Sequence, residues 1–139
     1  MYLLDTNVVS ELRKVPTGRA NARVAGWAWS VPVVSQYLSA VTILELEVGI
    51  LRMERKDPVQ GAALRSWMDG YVLRDFAGRI LQIDAAVALR CALLHVPDPL
   101  PEIDAMIAAT ALVHGMTVVT RNVEDFAGTG VAVFNPWEA

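Results

Sequence analysis

The sequence predicts an α/β fold: a central, mainly parallel sheet with helices on both faces, in three layers α/β/α. Three observations carry that prediction. Short apolar runs of strand length alternate along the chain with longer segments of helical periodicity. The short runs are apolar throughout rather than at every second residue, as in strands buried on both faces. Two of them stop abruptly on polar residues, in Leu3-Leu4-Asp5 and in Val118-Val119-Thr120. Open parallel sheets present ligand-binding groups at such strand ends.

Each element follows from local chemistry. Residues 2–5 form a buried strand, and Thr6 or Asn7 is expected to cap a short helix that Pro16 and Gly18 end. Val24, Trp27 and Ala28 recur at helical spacing within residues 19–30, before Pro32. Leu38 to Val41 reads as a short strand or as the start of a helix. From Thr42 to about Arg55 a helix presents Ile43, Leu44, Leu46, Val48, Ile50 and Leu51. Asp57-Pro58 opens another, with a capping acid before a proline at the first helical position, and it runs to about Phe76. Arg79 to Ile83 is a strand, and Asp84 caps a helix over residues 85–95. The segment Pro97-Asp98-Pro99-Leu100-Pro101 is a rigid loop. A helix then spans Glu102 to His114 and closes on Gly115. Thr117 to Thr120 is a strand, Asn122 to Phe126 a helical turn, and Val131 to Phe134 the last strand.

Bulk composition bounds the answer. The 139 residues suffice for one domain, residues 1–139, and no linker, repeat or low-complexity stretch divides them. Apolar residues make up 54% and charged residues 19%, which excludes disorder and implies apolar surface facing another chain. No stretch reaches the roughly 18 apolar residues of a membrane helix. The acid at position 5 and the lack of a basic leading segment argue against a signal peptide, and one cysteine, Cys91, forms no internal disulfide. A cytoplasmic location is the expectation. The net charge of −3 gives no polyanion-binding surface by bulk attraction.

Three acids fall at predicted element termini. Asp5 reads equally as an N-cap or as a functional carboxylate. Glu45 completes a Thr-x-x-Glu capping box with Thr42, yet it lies among apolar residues, where a carboxylate needs a partner or a cation. Glu47 lies about 200° further round the helix and cannot share its site. Asp104 sits in a first helical turn, where an acid suits the dipole, but Ala105, Ala108 and Ala109 argue for tight packing around it. Thr120-Arg121-Asn122 places polar groups at a second strand end, with Asp125 one turn later; Asn122 or Asp125 also suits a cap. Carboxylates that converge within about 4–6 Å repel, so a cation is needed to keep all of them ionised. All-oxygen donors suit Mg²⁺ or Mn²⁺ rather than Zn²⁺. The sequence holds no phosphate-binding glycine loop with a lysine, no His-Glu-x-x-His and no Gly-x-Ser-x-Gly. Cys91, His95, His114 and the four tryptophans read as structural or interfacial.

Four segments together carry a family resemblance. They are Leu3-Leu4-Asp5-Thr6-Asn7-Val8-Val9-Ser10-Glu11-Leu12, Leu38 to Leu46 with Gly49-Ile50, Ile103 to Ala111, and Val118 to Asn122 through Asp125-Phe126, with the ending Phe134-Asn135-Pro136-Trp137. The chain resembles PIN-domain ribonucleases of the VapC toxin type, in the FitB-like branch. The resemblance implies a toxin of a type II toxin–antitoxin system that hydrolyses RNA phosphodiester bonds at an acidic cluster binding Mg²⁺ or Mn²⁺. It assigns Asp5 and Asp104 as direct metal ligands. Glu45 would act through water or by orienting the nucleophile. Thr6 and Thr120 would support the ligands, and Arg121 would contact RNA phosphate. The family's fourth acid is often an aspartate after Thr-Arg; here it is Asn122, with Asp125 as a candidate substitute, and the lost charge weakens affinity for a second ion. The resemblance also implies a VapB-type antitoxin that wraps an apolar groove, and a homodimer. The competing reading is a PIN-fold binding module with a weak site, acting through protein or RNA contacts. A receiver-like phosphate acceptor lacks its late lysine, since none follows Lys56.

Overall fold

The computed structural model describes every residue from Met1 to Ala139. Along the chain run β1 (Tyr2–Leu4), α1 (Thr6–Leu12), α2 (Ala22–Ser30), β2 (Gln36–Ser39), α3 (Ala40–Lys56) and α4 (Pro58–Trp67). They are followed by the one-turn α5 (Leu73–Asp75), β3 (Ile80–Leu81), α6 (Ala85–Leu94), α7 (Glu102–His114), β4 (Thr117–Val119) and β5 (Val133–Phe134). The five strands lie in the order β3-β2-β1-β4-β5, and every pair is parallel. Leu3 stands opposite Tyr37 on one side and Val118 on the other. From β1 the sheet grows outward in one direction through β2 and β3, and in the other through β4 and β5. The boundary between β1 and β4 is thus a topological switch point, where parallel sheets open a crevice at their carboxyl ends.

Successive side chains of β1 serve opposite layers. Leu4 joins a core with Val8 and Val9 of α1, Trp27 of α2, Leu46 and Ile50 of α3, and Met68 and Val72. Leu3 turns the other way and packs with Val118, Ile107, Ala108 and Ala111 under α7. Each fully buried Leu or Val contributes about 1.5–3 kcal/mol to holding these layers together. Ala105, Ala108 and Ala109 are fully buried, so the small-residue face of α7 lies close against its neighbours. α6 packs on α7 through Val87 and Cys91. α3 and α4 approach closely because Gly61 has no side chain: a Cβ there would stand 2.5 Å from Glu54 Cα. Arg65 of α4 clamps the pair, with a two-pronged contact to Glu47 at 2.7 and 2.8 Å and a second to Glu54 at 3.1 and 3.3 Å. Glu47 therefore faces α4 and Glu45 does not, as their spacing requires.

Several expected caps are reassigned. The cap of α1 is Asp5 itself, whose Oδ1 accepts the Thr6 N–H at 2.8 Å; neither Thr6 nor Asn7 fills that role. The ambiguous segment before Thr42 resolves as strand β2 followed at once by α3, capped by Ser39 through the Val41 N–H at 3.1 Å. Thr42 is thus inside the helix, and the Thr42–Glu45 capping box does not form. Asn122 and Asp125 make no side-chain cap bond to the 3₁₀ turn Val123–Phe126. The remaining signals hold: Asp57, Asp84 and Gly115 cap as expected, Gly115 at a φ of 66°. The helix over residues 58–76 is interrupted by a π-helical turn at Met68–Val72, for which the sequence carries no distinct signal.

Candidate active site

The site forms where β1 and β4 end side by side. Asp5 leaves β1 with only 7% of its surface exposed. Its Oδ1 takes the Thr6 amide, and its Oδ2 takes the Thr120 hydroxyl from the end of β4 at 2.8 Å. Thr6 reaches across to α3, donating from Oγ1 to Glu45 Oε1 at 2.6 Å, with the Thr42 hydroxyl 3.5 Å from the same oxygen of Thr6. Asp5, Thr6, Glu45 and Thr120 therefore belong to one hydrogen-bonded group spanning β1, α3 and β4. The cap and site readings of Asp5 are both true: one oxygen starts α1, the other meets the neighbouring strand.

Asp104 approaches from the first turn of α7. It has no side-chain hydrogen bond, and its carboxyl is pushed up to about 6, first by burial and then by the charges of Asp125, Asp5 and Glu45. Burial also raises Asp5, against the lowering effect of its bonds to Thr120 and Thr6; Glu45 and Asp125 raise it further. Asp125 is exposed yet close enough to act on both. Four carboxylates from β1, α3, α7 and the turn after β4 thus share one electrostatic neighbourhood. As placed, no three His, Cys, Asp or Glu side chains stand close enough to hold one metal ion.

Asn122 is exposed, and its backbone N–H donates to Thr120 Oγ1 at 3.0 Å. A polar hollow of about 280 Å³ beside it is lined by Arg121, Asn122, Glu124, Asp125, Asn135 and Glu138. The Arg121 guanidinium lies 5.3 Å from the Trp137 ring centroid, held at the rim rather than in the cluster. Lys14 pairs with Glu11 at 3.2 Å. One participant is absent from the sequence-based candidates. Asn7 donates from Nδ2 to Thr120 Oγ1 at 3.2 Å and to Asp5 Oδ2 at 3.4 Å, and accepts the Arg121 N–H at 3.3 Å. Its partner strand is more than a hundred residues away, so no local pattern reveals it; the only hint is the uninterrupted polar run Asp5-Thr6-Asn7 after an apolar strand.

Away from the acids, α1, α2 and α4 enclose an apolar cavity of about 420 Å³, walled by Leu12, Val15, Ala28, Trp29, Trp67 and Tyr71. Trp29 is 83% exposed, and Trp67 Nε1 is sealed from solvent with no hydrogen-bond partner.

Comparison with known proteins places this architecture. A family model described as the PIN domain matches residues 2–130. Toxin FitB of Neisseria gonorrhoeae is 40% identical over 146 residues, covering 99% of each chain. The VapC ribonuclease Y4jK of Sinorhizobium fredii is 35% identical over 143 residues, again with 99% of each covered. The crystal structure of FitAcB from Neisseria gonorrhoeae superposes with a TM-score of 0.90 at 37% identity, over all of both chains.

Proposed function

The chain belongs to the PIN-domain family, and on that premise we propose that it is the toxin of a type II toxin–antitoxin system, acting as a Mg²⁺- or Mn²⁺-dependent endoribonuclease. One observation carries the reading: four carboxylates from separate elements gather at the switch point, where burial first and then the charges of the other three raise Asp104 to about 6. An arrangement that costs stability in this way persists where function needs it. The relatives named as a toxin and as a ribonuclease agree with it.

The residues fit a hard divalent cation in donor type and charge, being all oxygen and mutually repelling. Asp5 and Asp104 would hold the ion directly, and Glu45 would act through water or by orienting the nucleophile. A bound ion supplies charge stabilisation at the scissile phosphate and a more acidic water. The chain's own groups prepare for this. The Thr6 hydroxyl fixes Glu45 Oε1, and the Thr120 hydroxyl fixes Asp5 Oδ2. Arg121, steadied by Trp137, would meet a flanking phosphate of RNA. Asn122 offers an amide where a fourth acid often stands, and Asp125 supplies the missing charge nearby.

The partners follow from the surfaces. The apolar cavity under Trp29 suits an apolar segment of an antitoxin. A homodimer is part of the same reading, and exposed Leu89, Leu93 and Val96 supply apolar surface for it. No helix is long and apolar enough to cross a membrane.

The test is to sequence the RNA ends produced on inducing the protein alone, beside its Asp5→Asn form. New ends with the first and none with the second are expected; identical ends sink the proposal. A second reading, a weak-site binding module, is favoured by Asn122 and by the wide spacing of the acids. Isothermal titration showing no Mg²⁺ or Mn²⁺ binding at millimolar metal supports that alternative.

A further inference from the structure

We infer that Asn7 is a positioning residue of this site: its side-chain amide locks the Thr120 hydroxyl and the Asp5 carboxylate into the arrangement that receives the cation. The inference rests on the nuclease reading above and deepens it.

Hydrogen-bond accounting leads there. The Thr120 hydroxyl is fully buried and has one proton and two acceptor sites. The proton goes to Asp5 Oδ2 at 2.8 Å. The acceptor sites take the Asn122 N–H at 3.0 Å and Asn7 Nδ2 at 3.2 Å. The hydroxyl is saturated, so its orientation is fixed. Of the two donors to this hydroxyl, Asn7 is the one from the β1 side, and the same Nδ2 reaches Asp5 Oδ2 at 3.4 Å. Oδ2 of Asp5 thus has two donors, while Oδ1 has only the Thr6 amide and keeps a lone pair for a ligand.

The amide orientation is not arbitrary. Reversing it would set Oδ1 of Asn7 against the carboxylate and Nδ2 against the Arg121 N–H. As placed, every group finds its complement. Asn7 therefore ties the end of β1 to the end of β4 across the switch point through two bonds, one to the Thr120 hydroxyl and one from the Arg121 backbone, and its third bond braces Asp5 on its own side. Removing it frees the Thr120 hydroxyl to turn and leaves Asp5 with one donor fewer on Oδ2.

The experiment is Mn²⁺ binding by isothermal titration to the full chain, for wild type, Asn7→Ala, Thr120→Val and the double variant, with melting in EDTA as the folding control. Loss of a residue that orients a ligand weakens metal affinity by about 10- to 100-fold. Asn7→Ala should fall in that range while still melting cooperatively. Because Asn7 acts mainly through Thr120, its contact there being the shorter, the double variant should lose clearly less affinity than the product of the two single losses; independent effects would multiply. Should Asn7→Ala fail to fold, Asn7→Ser carries the same expectation, its hydroxyl being one bond too short to reach Thr120. A folded Asn7 variant that binds Mn²⁺ like wild type, or losses that multiply in the double variant, overturn the role of Asn7 alone. Absence of Mn²⁺ binding by wild type overturns the nuclease reading and this role with it.

Discussion

Replacing Asp104 by Asn should stabilise the metal-free protein while destroying its site. Asp104 titrates at about 6 rather than 3.8, through burial first and then the charges of Asp125, Asp5 and Glu45. A carboxyl raised in the folded state binds protons that the unfolded chain has released. Stability is therefore lost as pH climbs from about 4 through about 6, and the whole loss is present above that. A rise from 3.8 to about 6 corresponds to about 3 kcal/mol, at roughly 1.4 kcal/mol per pH unit. The side chain is only partly buried, so solvent screening reduces the expected gain to about 1–2 kcal/mol. Urea unfolding in EDTA should show Asp104→Asn more stable than wild type by that amount at pH 7.5, and equal to it near pH 4. Thermal melting should move upward by about 4 °C per kcal/mol. Mn²⁺ should reverse the order, since binding at a hundredfold excess over the dissociation constant adds about 2.7 kcal/mol to wild type alone. A variant no more stable than wild type at pH 7.5, or a gain equally large at pH 4, would refute the claim that mutual repulsion and burial strain this cluster.

Three further outcomes follow from the packing. Gly61→Ala places a Cβ 2.5 Å from Glu54 Cα, so α3 and α4 must separate; urea unfolding should report a loss of about 1–3 kcal/mol. Cys91 is buried and its thiol is raised by burial and by Glu102, so it should react with a thiol reagent at pH 8 only as the protein unfolds. Prompt reaction of the folded protein would contradict the packing of α6. Trp29→Ala removes an exposed wall of the apolar cavity; it should leave RNA cleavage unchanged but weaken binding of the co-expressed antitoxin by about 30-fold or more, as loss of a hot-spot tryptophan does. Unchanged antitoxin affinity would move the antitoxin to another surface.

What the sequence made legible was whatever chemistry is local. The Asp57-Pro58 and Asp84 helix starts, the Gly115 stop and the apolar β1 run each depend on neighbours a few residues apart, and the structure has all of them. By contrast, β2 is Gln36–Ser39, and the strands expected over 79–83 and 131–134 shorten to two residues each. The capping box at Thr42 misled because the same four residues fit a helix that has already started; the placement of β2 decided that, and β2 depends on partners in β1 and β3. Asp5 could be read as a cap or as a site residue because its two oxygens do both. Asn7 and the orphaned Trp67 N–H were illegible, since their meaning lies in contacts between elements distant in sequence. The acids at 5, 45 and 104 were singled out by position and by resemblance. What the sequence could not supply was their spacing, which leaves no three within reach of a single ion as placed.

The most direct test of the central claim is cleavage of a defined RNA by purified protein, with Mn²⁺ or Mg²⁺ and with EDTA, for wild type and for folded Asp5→Asn and Asp104→Asn. Cleavage by wild type with the metal alone, lost in EDTA and in both variants, is the expected result. Cleavage that persists in both folded variants would show that the acids at the β1–β4 switch point do not carry the chemistry.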